Sequence, residues 1–353
     1  MNALPELRKE CNFKLAFMEC FTSCVMTYIR LIGRDHRILL LDYWNLDYEF
    51  RTLMSSKNAR NFPLDYLYGI DLKFQSGDAA SLTEELRKGS SVILLCMASR
   101  LEYFPQAYLT MESSGFQHSV LIHGLDPLRG YAVFDPMTDY AGYLAPEAVA
   151  HAGKTGRNDT LHYFTLVQKK VDSLPTNREI LEFCAGRNLV FYRGEKPETV
   201  NKVQDETGSD ARWKIWYEWF ANRRGGSQSF KYFIADLKDA PNWPQAKRDA
   251  WIKRNSTTIS SIRLLRQQIW ETYRDFMSLD QADAEEGERQ IGEISEKWRR
   301  LNYLLLKFKS AGDRDNAIEL MENKIAELQQ SEMAFLAWLK QKAGEGHGSQ
   351  QNR

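Results

Sequence analysis

Cys20 and Cys24 lie four residues apart in ECFTSCVMTYIRLIG, where a loop runs into an apolar helical stretch. Short-spaced cysteines serve as packing, as half of a metal site, as a redox pair or as a nucleophile. A structural zinc site needs two further Cys or His at suitable spacing. His36, His118 and His123 are scattered, so no metal is expected. A redox pair normally has two residues between its cysteines, and this one has three. No glycine-rich phosphate loop follows a strand, since GEGHG falls in the tail. The nucleophile reading has more support. Cys20 falls at the loop-to-helix junction, where the positive end of the helix dipole and its unpaired N–H groups stabilise a thiolate. Cys24, one turn further in, reads as small core filler.

A nucleophilic cysteine needs a histidine base and a group that orients it. His118 opens the stretch HSVLI, and Asp135 closes the stretch YAVFDP. If these pair as an antiparallel hairpin around LDPLRG, the start of one strand neighbours the end of the next. His118 and Asp135 then meet although 17 residues separate them. On local pattern alone the alternative stays open: a buried thiol, a strand-end histidine and a turn Asp-Pro.

The elements that must position these residues divide the chain into two grammars, and the expected fold class is α+β. Up to about residue 170 helices and strands mix. A helix runs from Cys20 to a stop at Gly33. GIDLKF (69–74) alternates like a strand. SLTEELRKG (81–89) reads as a helix with Ser81 and Glu84 at capping-box spacing and Gly89 as its end. SVILLCMAS (91–99) reads as a buried strand, and LHYFTLVQKK (161–170) as another. From about residue 175 helices take over. Ile291, Ile294, Trp298, Leu301, Leu305 and Phe308 recur every three or four residues. Ile318, Met321, Ile325, Leu328, Phe335 and Leu339 continue the rhythm, with Glu332 in one apolar slot. This predicts a long helical hairpin in a bundle. Eight of the nine tryptophans lie in this half, and packing is the simplest use for them. The expected domains are residues 1–172, a helical bundle over 173–342, and a disordered tail over 343–353.

Bulk properties exclude several classes. The 47 basic residues balance 47 acidic ones, so no global field points to nucleic acid. No apolar run reaches membrane-spanning length. The segment MNALPELRKECNFK lacks a secretory pattern. Five cysteines, odd in number and sparse, do not suggest a disulfide framework, so a reducing cytoplasm is expected.

ECFTSCVMTYIRLIGRD resembles the nucleophile motif of the papain-like cysteine peptidases that process bacteriocin leaders, and HSVLIHGLDPLRGYAVFDP resembles their histidine block. The resemblance maps Cys20 to the nucleophile, Cys24 to a second structural cysteine, His118 to the base and Asp135 to the orienting carboxylate. The chain is still more similar to the butirosin-biosynthesis acyltransferase family, whose N-terminal domain is a relative of that peptidase fold. LTEELRKGSSVILLCMASRLEYFPQAYLTMESSGFQHSVLIHGLD carries the likeness, and a helix-rich second half follows in that family too. It covers residues 12–170 by motif and the remainder only by architecture. The peptidases place an oxyanion-donating glutamine six residues before the cysteine. This chain has Lys14 there, and Phe21 in place of the glycine after the nucleophile. Asn12 and Lys14 are therefore the candidate side-chain donors beside the Cys20 backbone N–H.

The resemblance implies transfer of an acyl or aminoacyl group from the phosphopantetheine thioester of an acidic carrier protein to an amine, through a Cys20 acyl-enzyme, with no bound cofactor. The pathway implied is that of peptide-like natural products. LLLDYWNLDYEF (39–50) and EYFPQAY (102–108), aromatic and acidic, are candidate walls of the acceptor pocket, with Phe21, Asp42, Trp44, Asp47 and Tyr103 as its residues. KRDAWIKR (247–254) and EKWRRLNYLLLKFK (296–309) are candidate basic docking patches. Two other classes stay open: a cysteine hydrolase (peptidase, amidase or thioesterase) with the same triad, and a non-catalytic binding module.

Overall fold

The computed structural model describes residues 7–16, 19–55, 61–109, 117–154, 160–171, 173–194, 225–309 and 314–345. The chain is α+β, with antiparallel sheets in its N-terminal half and a helical region after them. It divides into two units. Met1–Leu39 joins Arg60–Leu174, and Leu40–Ala59 joins Pro175–Arg353. The later boundary falls near the expected one, but residues 40–59 belong with the helices rather than with the N-terminal domain.

The reason lies in a hairpin that the sequence hides. Strands β1 (Leu46–Glu49) and β2 (Thr52–Ser55) pair with Glu49 opposite Thr52, which leaves a two-residue turn of Phe50 and Arg51. Both have positive φ, at 50° and 60°. Turns of this kind normally carry Asn-Gly or Asp-Gly, because a side chain at positive φ is strained. Here tertiary contacts hold the turn. Asn255 Nδ2 donates to the Arg51 carbonyl at 3.0 Å, Leu53 N donates to Asn255 Oδ1 at 2.9 Å, and the Arg51 guanidinium lies 4.6 Å from the Trp243 ring.

In the first unit, α1 (Cys20–Leu31) and α2 (Asn61–Tyr68) precede a six-stranded antiparallel sheet. Its strands are β3 (Ile70–Gly77), β4 (Ser91–Met97), β5 (Gln117–Asp126), β6 (Gly130–Asp135), β7 (Tyr140–Leu144) and β8 (Leu161–Gln168), in the order β3-β8-β4-β5-β6-β7. Helices α3 (Ala79–Arg87), α4 (Gln106–Leu109) and α5 (Pro146–Gly153) lie in its connections. Alternation along the strands builds two faces. Val92, Leu94, Cys96, Val120 and Ile122 pack with Leu82 and Leu86 of α3 and Val149 and Ala152 of α5. Residues of the other parity face α1: Cys24 Sγ donates to the Ser119 carbonyl at 3.4 Å, and Phe21 meets Phe164. Helix α3 starts two residues before the expected Ser81. Its N-cap is Asp78, which accepts from the Ser81 N–H at 2.8 Å. Gly33 and Gly89, at φ 73° and 86°, follow the ends of α1 and α3, the left-handed position that glycine takes without strain.

The second unit contains α6 (Asn177–Arg193), α7 (Ser229–Asp239), α8 (Gln245–Phe276), α9 (Gln281–Phe308) and α10 (Arg314–Glu345). A Thr176–Glu179 capping box opens α6. The expected hairpin is α9 with α10, its apolar rhythm buried at Ile291, Ile294, Trp298, Met321, Ile325 and Leu328. Glu332, the anomaly in that rhythm, accepts from Arg266 Nε at 2.7 Å and from Trp298 Nε1 at 2.8 Å. Trp243, Trp251, Trp270 and Trp298 are buried, while Trp213, Trp216 and Trp219 lie outside the described residues. Helix α10 reaches Glu345, so residues 343–345 of the expected tail are helical, and 346–353 lie outside the described residues.

Candidate active site

Cys20 is the first residue of α1, half-buried at the helix mouth. Glu19 holds the N-cap position, yet its side chain makes no capping bond to the helix backbone and instead accepts from Thr22 Oγ1 at 3.2 Å. Cys20 packs against the cluster that contains Cys96, Ala98, Leu101 and Phe104. Cys24 is fully buried one turn below. Of the two cysteines, Cys20 alone lies at the helix end.

His118 sits on β5, and Asp135 ends β6. Phe134 pairs with Leu121 across the hairpin, so Asp135 falls diagonal to His118 on the same face. The structure brings the two side chains to 2.8 Å, His118 Nε2 to Asp135 Oδ2, with both fully out of solvent. Asp135 Oδ1 accepts from the Met137 N–H at 3.0 Å, which fixes the carboxylate plane. Burial alone would lower the basicity of His118. Its hydrogen bonds to Asp135 and Cys20 outweigh that effect and raise it to about 10. With Nε2 committed to Asp135, Nδ1 is the ring nitrogen left for the thiol. Phe104 packs edge-on to the imidazole at 5.0 Å. Among the described residues no cluster of three His, Cys, Asp or Glu is placed to hold a metal ion.

Cys96, which the sequence did not single out, is the cross-strand partner of His118 on β4. Burial, then the nearby Asp135 and Cys20, push its thiol well above the usual range. It is a buried thiol that stays protonated beside His118. Its signal in the sequence was only its place in the buried strand SVILLCM.

The oxyanion candidates fare differently. Asn12 Nδ2 already donates to the Tyr140 carbonyl at 3.0 Å, and its own carbonyl accepts from Arg30 near the far end of α1. Lys14 is exposed. Its neighbours hydrogen-bond to Ser23 and Thr27, inside the helix rather than at its mouth. Neither side chain is a preorganised donor in a dry site. The Cys20 backbone N–H remains.

The acceptor-pocket candidates separate into two groups. Asp42, Trp44 and Asp47 are buried inside the second unit. Asp42 accepts from Arg187 at 2.9 Å, and burial holds its carboxyl up at about 6 against the pull of that guanidinium. Trp44 packs against Phe335, with the Arg266 guanidinium 4.2 Å from its ring. Asp47 forms a backbone bridge with Gly225. Committed to packing, these three do not line an open pocket. Tyr103 and Phe21 do lie in the first unit. Tyr103 stacks on Tyr140 at 3.8 Å, and burial, reinforced by nearby Asp135, pushes its phenol up, so it backs the carboxylate. Phe21, next to Cys20 in the chain, lies edge-on to Phe164 at 4.9 Å. Of the basic stretches, Arg299 and Arg300 both pair with Glu296 on their own helix, while Lys253 and Arg254 are exposed on α8.

No protein-family model matches the chain, and no curated protein matches it at a significant level. The chemistry therefore rests on the site itself. No helix among the described residues is long and apolar enough to cross a membrane.

Proposed function

We propose that this chain is a cysteine-dependent acyltransferase of the butirosin-biosynthesis type, which moves a thioester-bound acyl group to an amine in natural-product assembly. The observation that carries the reading is one alignment of groups: Cys20 at a helix N-terminus, touching a buried histidine held at 2.8 Å by a buried carboxylate. A histidine raised to about 10 stays protonated at neutral pH, which suits a thiolate–imidazolium pair.

In the first step the Cys20 thiolate attacks the thioester carbonyl carbon. The C–S bond to the donor breaks, and the departing pantetheine thiolate takes the His118 proton. Exchange of one thioester for another is nearly isoenergetic, so this step needs little driving force. In the second step an amine attacks the acyl-Cys20 carbonyl, His118 takes the amine proton, and Cys20 leaves as thiolate. Asp135 keeps the imidazole oriented throughout. The Cys20 N–H is the oxyanion donor this reading carries forward. Phe104 against His118 helps to keep water from the acyl-enzyme. The donor is an acidic carrier protein with its phosphopantetheine arm, and Lys253 and Arg254 offer it a basic contact. A cytoplasmic setting, free of nucleic acid and membrane, fits this reading.

The test is intact mass spectrometry after mixing the protein with an acyl-loaded carrier protein. The expected result is an acyl adduct that disappears in Cys20→Ala and persists in Cys24→Ala. An adduct absent from wild type, or indifferent to Cys20→Ala, removes the proposal. A hydrolase uses the same triad, and product analysis with and without added amine separates the two. Failure of both adduct formation and Cys20 labelling leaves a binding module.

A further inference from the structure

The segment that follows β4 closes over the His118–Asp135 pair. Ala98–Arg100 forms one tight turn, and the chain goes on turning: Leu101 N donates to the Ala98 carbonyl at 3.0 Å, and Phe104 N donates to the Leu101 carbonyl at 2.9 Å. Arg100 anchors the segment, its guanidinium donating to the carbonyls of His151, at 3.1 Å, and Lys154, at the end of α5. Ala98, Leu101 and Phe104 are buried in the same cluster as Cys96, and both Cys20 and Tyr103 pack against that cluster. Two successive rings then reach the two members of the pair. Phe104 lies 5.0 Å from the His118 ring. Tyr103 stacks flat on Tyr140, with ring centroids 3.8 Å apart and planes 3° apart, and Tyr140 is the cross-strand partner of Asp135. Partners directly opposite in a ladder share one face of the sheet. The Tyr103 ring therefore lies on the side from which the Asp135 carboxylate projects.

A phenylalanine would cover the pair equally well. What Tyr103 adds is a hydroxyl, and that oxygen is shut off from solvent with no partner at ordinary hydrogen-bond geometry among the described residues. A buried hydroxyl left in that state costs free energy. The acceptor at hand is the Asp135 carboxylate. Burial first, then the charge of Asp135, keep the Tyr103 phenol protonated, and hydrogen bonding to that carboxylate adds to them. The contact is a long one in the resting site, of the kind that tightens when charge is drawn into place. Asp135 has room for this donor. Its Oδ1 takes the Met137 N–H and its Oδ2 takes His118. A carboxylate offers about four lone-pair sites, so a third hydrogen bond is open to it.

We propose that Tyr103 is a positioning residue, whose hydroxyl donates to Asp135 and so supports the thiolate–imidazolium pair. This rests on that ion pair, not on which carbonyl the thiolate attacks. Thiolate, imidazolium and carboxylate together carry a net negative charge in a site largely closed to water. The helix N-terminus offsets that charge at the Cys20 end. The phenol dipole offsets it at the Asp135 end. Without the hydroxyl the coupled set takes up a proton more readily, whichever member receives it. Three further titratable groups adjoin the set. Cys96 on β4 and Tyr140 on β7 are held protonated, in each case by burial first. Glu19 is buried beside Cys20 at the N-cap of α1, and removal of the Tyr103 hydroxyl leaves it in place.

The measurement is the rate of iodoacetamide labelling at Cys20, followed downward in pH to the point where the thiolate is lost. Wild type is expected to hold a plateau and then fall away on the acid side. Tyr103→Phe keeps the ring on Tyr140 and removes only the oxygen. It is expected to move the midpoint of that fall up by about 0.5–1 pH unit and to change the plateau rate less than about twofold. Tyr140→Phe takes an oxygen from the facing ring and is expected to leave the profile where it is. A wild-type Tm, with Cys24 and Cys96 unlabelled, shows that each variant is folded. Superimposed profiles for wild type and Tyr103→Phe, or an equal shift in Tyr140→Phe, overturn the proposal. A lower Tm with an unmoved profile does the same, because a hydroxyl that merely packs alters stability and not the titration of the thiol. A wild-type profile that rises like an ordinary thiol removes the ion pair and this role with it. A wild-type plateau with no shift in Tyr103→Phe strikes the role of Tyr103 alone.

Discussion

Replacing Asp135 by Asn tests how the site makes a nucleophile. The substitution keeps the volume, and an amide oxygen can still accept from the Met137 N–H. It removes the charge that faces His118 Nε2 at 2.8 Å in a fully buried setting. Burial is the largest influence on His118, and it lowers basicity. Without the carboxylate that influence dominates, the imidazole loses its proton near neutrality, and the thiolate loses its counter-ion. A buried hydrogen bond to a charged group is worth roughly 1.5–3 kcal/mol. A loss of about 2 kcal/mol corresponds to roughly a 30-fold slower reaction. The assay is the second-order rate of iodoacetamide labelling at Cys20 against pH, read by peptide mass spectrometry, with buried Cys24 and Cys96 as internal references. Wild type is expected to label at a nearly constant rate from about pH 6.5 to 9, because the ion pair supplies thiolate throughout. The variant is expected to start about 30-fold lower at pH 7 and rise like an ordinary thiol of pKa about 8.5. Superimposable profiles, from variants that melt like wild type, would refute the ion-pair reasoning. Stability should follow the same group. Folding raises His118 from 6.5 to about 10, so its contribution is complete below about pH 6.5 and is lost as pH rises through about 10. Asp135→Asn should flatten that alkaline loss in a denaturant titration.

Two further outcomes concern the helical unit. Glu332→Gln strands a fully buried Arg266, and urea unfolding is expected to show a loss of about 3–5 kcal/mol; replacing both partners by apolar residues should cost clearly less. Gly287→Ala drives a methyl into the Trp270 ring, and overpacking of this kind is expected to cost about 1–3 kcal/mol, seen as a lower Tm without loss of Cys20 labelling.

Legibility followed the range of the interactions. The β5–β6 hairpin was readable because His118 and Asp135 are close in sequence and a turn-rich LDPLRG separates two apolar strands. Helices α1, α9 and α10 were readable because their apolar spacing is local. The β1–β2 hairpin was not. Its turn carries Phe50 and Arg51, and the contacts that hold it come from Asn255 and Trp243, about two hundred residues on. The same distance misled the reading of Asp42, Trp44 and Asp47 as pocket walls. An acidic, aromatic stretch looks alike whether it faces solvent or an Arg187 or Arg266 supplied by a remote helix.

By itself, then, the sequence determined which residues can do chemistry: a thiol at a helix mouth, and a histidine and carboxylate brought together by one hairpin. Local periodicity and turn chemistry suffice for that. Only the tertiary structure decided what surrounds them. It buried Cys96 opposite His118, tied Asn12 to Tyr140 and drew residues 40–59 into the helical unit. Those outcomes depend on pairings between strands and helices far apart in the chain, where burial and desolvation, rather than residue type, fix what a side chain can do.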